Sequence, residues 1–266
     1  MKKLILLLAV LVTAFSCNVT ETLIFDENGS GEYYTKYDLS EAMKQIGAMG
    51  PEGSADNKDE KNSKVMDTLI VFSDIMEVYK DSVAALPENE RLVLESLKGM
   101  YMKINANEAE KEMEFGVGLK FKSLKDLKDI QKKIRAAQAM SQKDGELDKM
   151  KENPMMSMLF GSDESELAFE YNDKYFTRNT FFELPEDMSL EDVLLSEEDA
   201  GDESFQQMLS NASYSVKLKF PKKIKSYSIE GANLSDDAKS LEYTFNWIEY
   251  LKNPKVLDVK VEFEDE

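Results

Sequence analysis

Few residues in this chain have the chemistry to start a reaction. Histidine is absent and Cys17 is the one thiol, so the commonest general base, the commonest metal ligand and the usual nucleophile–base pairs are all missing. There is no phosphate-cradling glycine loop, no G-x-S-x-G elbow and no zinc spacing. What remains is carboxylate: Asp plus Glu total 52 against 33 Lys plus Arg, a net charge of −19. Two acidic groupings have the residue types to hold a hard cation. Asp26, Asn28 and Ser30 alternate as in a calcium loop, but Tyr37 occupies the twelfth position, where a bidentate Glu is required. Asn28-Gly29 reads better there as a hairpin turn. Asp199, Asp202 and Glu203 belong to the most acidic stretch, 185–204. They lack a fixed ligand pattern, so a solvated loop is favoured and they stand only as weak metal candidates. Paired carboxylates also serve glycoside hydrolysis, but among 52 acids such pairs arise by chance. The expectation is a protein without catalysis and without a cofactor.

Cys17 has a different chemistry in prospect. Lys2 and Lys3 precede an unbroken apolar run, Leu4 to Val12, and small residues follow. That is the pattern of a secretion signal, too short to span a bilayer as a helix. Ala14-Phe15-Ser16-Cys17 resembles the lipobox of bacterial lipoproteins, with Ser16 and Cys17 fitting well and Ala14 and Phe15 loosely. The resemblance implies that residues 1–16 are a signal peptide and that Cys17 is acylated as the first mature residue. A lone cysteine in an exported chain asks for an explanation, and lipidation supplies one. Asn18 follows where an inner-membrane retention signal would place Asp, which points to the outer membrane. No basic-then-acidic surface-export signal stands in Asn18-Val19-Thr20-Glu21, which favours the periplasmic face.

The charge bounds the partners. Removing Lys2 and Lys3 with the leader lowers the net charge to −21. Nucleic acid, whose phosphates demand a positive footprint, is excluded. Anionic headgroups would repel the chain too, so acyl chains on Cys17 would have to hold it to a membrane. With the only thiol acylated, no disulfide can form and stability rests on packing.

The elements that position these residues follow from periodicity. Residues 17–22 read as a lipidated tether and 23–266 as a single domain. Strands are expected from Leu23 to Phe25 and Glu32 to Tyr37, joined by the Asp26–Gly31 turn. A short helix follows over Glu41–Met49, then a longer one over Lys64–Lys80, where Val65, Leu69, Phe72, Ile75, Met76 and Tyr79 fall on one stripe. Pro87 opens another helix. Strands run from Met100 to Ala106 and Met113 to Lys122, the second alternating cleanly. Ser123 with Asp126 starts a helix reaching Met140. A second hairpin spans Glu166–Tyr171 and Tyr175–Phe182. Ala212–Phe220, Ile224–Glu230, Leu241–Tyr250 and Val256–Phe263 form a β-meander. Loops are expected near 50–63, 141–165 and 185–204. The methionine-rich patch around Pro154 reads as ordinary packing ahead of an adaptable binding surface. The class is α+β, a mainly antiparallel sheet of hairpins and a C-terminal meander with helices packed on one face.

Two local features, Asn28-Gly29-Ser30-Gly31 soon after the cysteine and Lys219-Phe220-Pro221 followed by Ile224 and Ala232-Asn233-Leu234-Ser235, resemble uncharacterised Bacteroidota lipoproteins. More distantly they resemble the LppM-type lipoproteins of mycobacteria. The resemblance implies a membrane-anchored envelope protein and carries no catalytic residues. The leading expectation is a binding or scaffold module whose partner is another envelope protein or an apolar ligand. The alternative is a carrier enclosing a lipid between sheet and helices. The carrier requires a continuous apolar cavity; the scaffold requires a filled core and an exposed patch.

Overall fold

The computed structural model describes residues 18–41, 65–140, 166–181 and 210–265. In chain order the strands are β1 (Asn18–Phe25), β2 (Gly31–Asp38), β3 (Val65–Val71), β4 (Met100–Asn107), β5 (Glu112–Phe121), β6 (Glu166–Tyr171), β7 (Tyr175–Phe181), β8 (Ser213–Lys219), β9 (Ile224–Tyr227), β10 (Asn233–Leu234), β11 (Ser240–Asn246) and β12 (Val259–Phe263). The helices are α1 (Phe72–Val78), α2 (Lys80–Ala84), α3 (Glu88–Ser96), α4 (Ile130–Met140) and α5 (Trp247–Lys252). The class is α+β, as expected. An eight-stranded sheet runs β10-β11-β8-β1-β2-β5-β4-β3, and a four-stranded sheet runs β6-β7-β12-β9. Only β1 and β8 pair in parallel; the other pairings among the described residues are antiparallel.

Alternation builds the core. Val19, Glu21, Leu23 and Phe25 of β1 point to one buried face, with Tyr214, Val216 and Leu218 of β8 beside them. Phe176, Arg178 and Thr180 of β7 and Val259, Val261 and Phe263 of β12 form the buried face of the smaller sheet. The two faces pack on each other, as in a sandwich. Phe25 is the hub: its ring lies 4.3 Å from Tyr171 and 5.6 Å from each of Phe121, Phe176 and Phe220. On the opposite face of the large sheet two tyrosines cover glycines. A Cβ on Gly116 would meet Tyr34 Oη at 1.9 Å, and one on Gly118 would meet Tyr101 Cζ at 2.2 Å. Tyr101 Oη donates to Glu32, which pins its ring there.

Several expectations need correction. Residues 18–22, read as tether, are the first five of the eight residues of β1, which opens at Asn18 rather than Leu23. The signal was masked by Glu21, a charge at an inward position. The helix expected over Lys64–Lys80 is instead strand β3 followed by α1. β3 is an edge strand that leaves Val65, Met66 and Leu69 exposed, so it carries no clean alternation. The helix expected from Ser123 to Met140 is divided into a 3-10 turn, Leu124–Leu127, and α4, with Asp129 at positive φ between them. Its predicted start holds: Asp126 accepts from Ser123 N at 3.0 Å and Lys122 N at 2.8 Å. The strand expected over Leu241–Tyr250 ends at Asn246, whose side chain accepts from Ile248 N at 2.9 Å and caps α5. The C-terminal strands divide between the sheets, β8 and β11 joining the large one and β9 and β12 the small one. Glu41–Met49 beyond Glu41, the loops 50–63 and 141–165 with their methionine patch, and the stretch 185–204 lie outside the described residues.

Candidate functional site

The most unusual chemistry lies between the sheets. Glu21 is 0% exposed and Arg178 2%. Arg178 Nε donates to Glu21 Oε1 at 2.8 Å and Nη2 to Oε2 at 2.9 Å, a bidentate fork. Tyr214 Oη donates to the same Oε2 at 3.0 Å. The remaining guanidinium arm donates to Thr180 Oγ1 at 3.0 Å and lies 3.7 Å from Asp258 Oδ1. Asp258 in turn accepts from Thr180 N at 2.8 Å. Nearby, Tyr243 Oη donates to Leu257 O at 2.8 Å. One ion thus comes from the centre of β1 and its partner from β7, so the pair ties one sheet to the other.

Electrostatics keep Arg178 charged. Burial alone would lower the Arg178 value, but the adjacent Glu21, through charge and hydrogen bonds, holds it well above the ordinary arginine value. Burial, and then the negative charge of Glu21, raise the Tyr33 and Tyr214 phenols well above the usual 10. The sign follows by linkage: a raised folded-state value leaves this stability whole below pH 10 and removes it as pH rises through the folded values. These two tyrosines are therefore expected to stay protonated until the fold opens. An alkaline titration of phenolate absorbance, run beside circular dichroism, should show their ionisation coincident with unfolding. Ionisation of all eleven tyrosines near pH 10 in an intact fold would contradict the assignment.

The cluster's chemistry is closed. Its charges face each other and its hydroxyls are engaged; Glu21, Arg178, Thr180 and Tyr214 are buried, and Asp258 at its margin reaches the surface, 27% exposed. It joins β1 of the large sheet to β7 of the small one. Removing one partner of a buried pair leaves the other charge uncompensated, which costs far more than losing a surface pair.

Elsewhere the described surface has two shallow grooves, each of about 300 Å³. One lies between the Leu124–Leu127 turn, α4 and β6, and is crossed by the Lys132–Glu166 ion pair at 2.7 Å. The other is lined by Ser210, Asn246, Ile248, Glu249 and Lys252 beside α5. Neither brings together nucleophile, base and oxyanion donors. A third feature is apolar. Val65 and Leu69 of β3, Val78 and Tyr79 at the end of α1, and Leu92 and Val93 of α3 are all exposed.

Cys17, Asp199, Asp202 and Glu203 lie outside the described residues. In the Asp26–Gly31 turn, Ser30 N donates to Asn28 Oδ1 at 3.0 Å and Ser30 Oγ to Asp26 Oδ2 at 2.9 Å. Gly29 takes the positive φ of 79° that its place in the turn requires. Among the described residues, no three His, Cys, Asp or Glu side chains gather closely enough to hold a metal ion. No described helix is long and apolar enough to cross a membrane. Sequence reasoning missed Glu21 and Arg178. The available signal was an acid and a base each flanked at i±2 by core residues, Val19 and Leu23 around one and Phe176 and Thr180 around the other.

No family model matches this chain, and no curated protein matches it. Among solved structures the chain is similar to the folded domain of LppM from Mycobacterium tuberculosis, determined by NMR. Identity is 6% and the TM-score 0.35, over 95% of this chain and 93% of that one. A likeness of that degree carries no activity across.

Proposed function

We propose that this chain is a lipid-anchored envelope protein of Bacteroidota type that works by binding and not by catalysis. The observation that supports this reading is the contrast between its interior and its surface. Stacked and edge-on rings fill the space between the sheets, and the buried charges satisfy one another, while large apolar side chains remain exposed on β3, α1 and α3. A scaffold or binding module is built that way. A carrier with its lipid between the two sheets would need the space that Phe25, Phe176 and Phe220 occupy. Acyl chains on Cys17 would hold the protein to the outer membrane, on its periplasmic face. Because β1 opens at Asn18, they would do so without a spacer, bringing that end of the large sheet to headgroup level.

Metabolic labelling with an alkyne fatty acid tests the anchor. The wild-type chain is expected to take the label and to sediment with outer-membrane vesicles, and Cys17→Ala to lose both. A Cys17→Ala chain that still carries label, or a wild type that takes none, would remove the anchor from this account.

A further inference from the structure

We propose that the helical arm between β3 and β4, residues 72–99, is the docking site for a cationic amphipathic helix presented by another envelope protein; this deepens the binding reading above and rests on it. Along the arm only Phe72 and Leu97 are buried. α1 has 7 residues, α2 5 and α3 9. Isolated helices shorter than about 12 residues are marginal in water and depend on a covered apolar face. Among the described residues nothing covers that face: Ile75, Val78 and Tyr79 stand at i, i+3 and i+4, with Val78 73% exposed, and Leu92 and Val93 project from α3, Leu92 56% exposed. Side chains at that spacing form ridges that fit the grooves of another helix.

Charge selects the occupant. Asp74, Glu77, Asp81, Glu88, Glu90 and Glu95 lie along the arm with the patch, against Lys80, Arg91 and Lys98. None of those six acids makes an ion pair among the described residues. Such an arm repels a second copy of itself and an anionic bilayer, and it favours a basic partner. Position adds to this. Asn18 shares a cross-strand row with Asp38, Glu114, Asn105 and Asp67. The arm leaves the sheet at Val71, about 13 Å further along the strand at ~3.3 Å per residue and at the far edge of the sheet. A chain held at Asn18 therefore carries the root of the arm at a distance from its anchor point, on another strand of the sheet.

The test uses the full mature chain with Cys17→Ser, free of acyl groups, lipid and detergent, so that its outcome is independent of the anchor. The probe is a fluorescent helix-forming peptide of Leu and Lys in amphipathic pattern. Its companions are a Ser/Lys peptide of equal charge and a Leu/Glu peptide. Fluorescence anisotropy should show binding of the Leu/Lys helix alone, weakened at least about ten-fold, or ~1.4 kcal/mol, by Val78→Asn with Leu92→Asn. Those changes leave the charge untouched, and the unfolding midpoint serves as the control for the fold. Hydrogen exchange on the unsubstituted arm should show residues 75–93 protected by the peptide. Equal binding of the Ser/Lys peptide would mean charge alone and overturn the proposal. So would equal binding by the Asn variant, by the Leu/Glu peptide, or dimerisation of the chain through the same residues.

Discussion

Arg178→Met is expected to lower folding stability by about 3–5 kcal/mol, because it leaves Glu21 charged and unpaired inside the protein. The carboxylate would keep only the Tyr214 hydroxyl, at 3.0 Å, in place of a two-pronged guanidinium. A domain whose total stability lies in the usual range of about 5–15 kcal/mol would lose a large part of it. Arg178→Lys would not rescue the loss, since an ammonium cannot bridge both carboxylate oxygens and also reach Thr180. Replacing both ions, with Glu21→Leu and Arg178→Met together, removes the uncompensated charge and should recover most of the lost stability, or exceed the original. Urea unfolding of the single and double variants measures the coupling directly. If the two single effects simply added in the double variant, the pair would not be the tie between the sheets described above.

The second large effect belongs to Phe25. Its ring touches Phe121 within its own sheet and Tyr171, Phe176 and Phe220 beyond it, and its side chain is almost completely buried. Phe25→Ala deletes the hub of that cluster and leaves a cavity between the sheets that the surroundings fill only in part. The expected cost is about 3–5 kcal/mol. Leu92→Asn, on the exposed arm, should change stability by no more than about 0.5 kcal/mol. The contrast separates the two kinds of apolar residue in this protein. One kind makes the fold, and the other joins no core cluster among the described residues. Equal destabilisation by both would mean that the arm belongs to the core.

Local signals were legible and distant ones were not. The Asn28-Gly29 hairpin, the alternation of Met113 to Phe121, the helix opened by Pro87 and the Asp126 cap all rest on neighbours within a few residues. The pairing of β1 with β8 joins Asn18 to Ser213 across most of the chain, and periodicity has no access to it. β3 was hidden because an exposed edge strand need not alternate, and its Leu69, with Phe72 and Ile75 of α1, happened to fall at helical spacing. α5 did carry a usable signal: Asn246 with Glu249 three residues on is a cap followed by an acid in the first turn. The aromatic run through Tyr243, Phe245 and Trp247 outweighed it. The buried ion pair was the hardest to see. A charge in an inward position reads as a break in the strand until its partner is found, and that partner stands on β7, in the other sheet.

Native mass spectrometry of the chain from Asn18 onward, purified from a bacterial host, tests the central claim most directly. A filled, non-carrying domain predicts the mass of the polypeptide alone. Added mass that leaves on denaturation, with a lipid recovered in the extract, would contradict the account and restore the carrier.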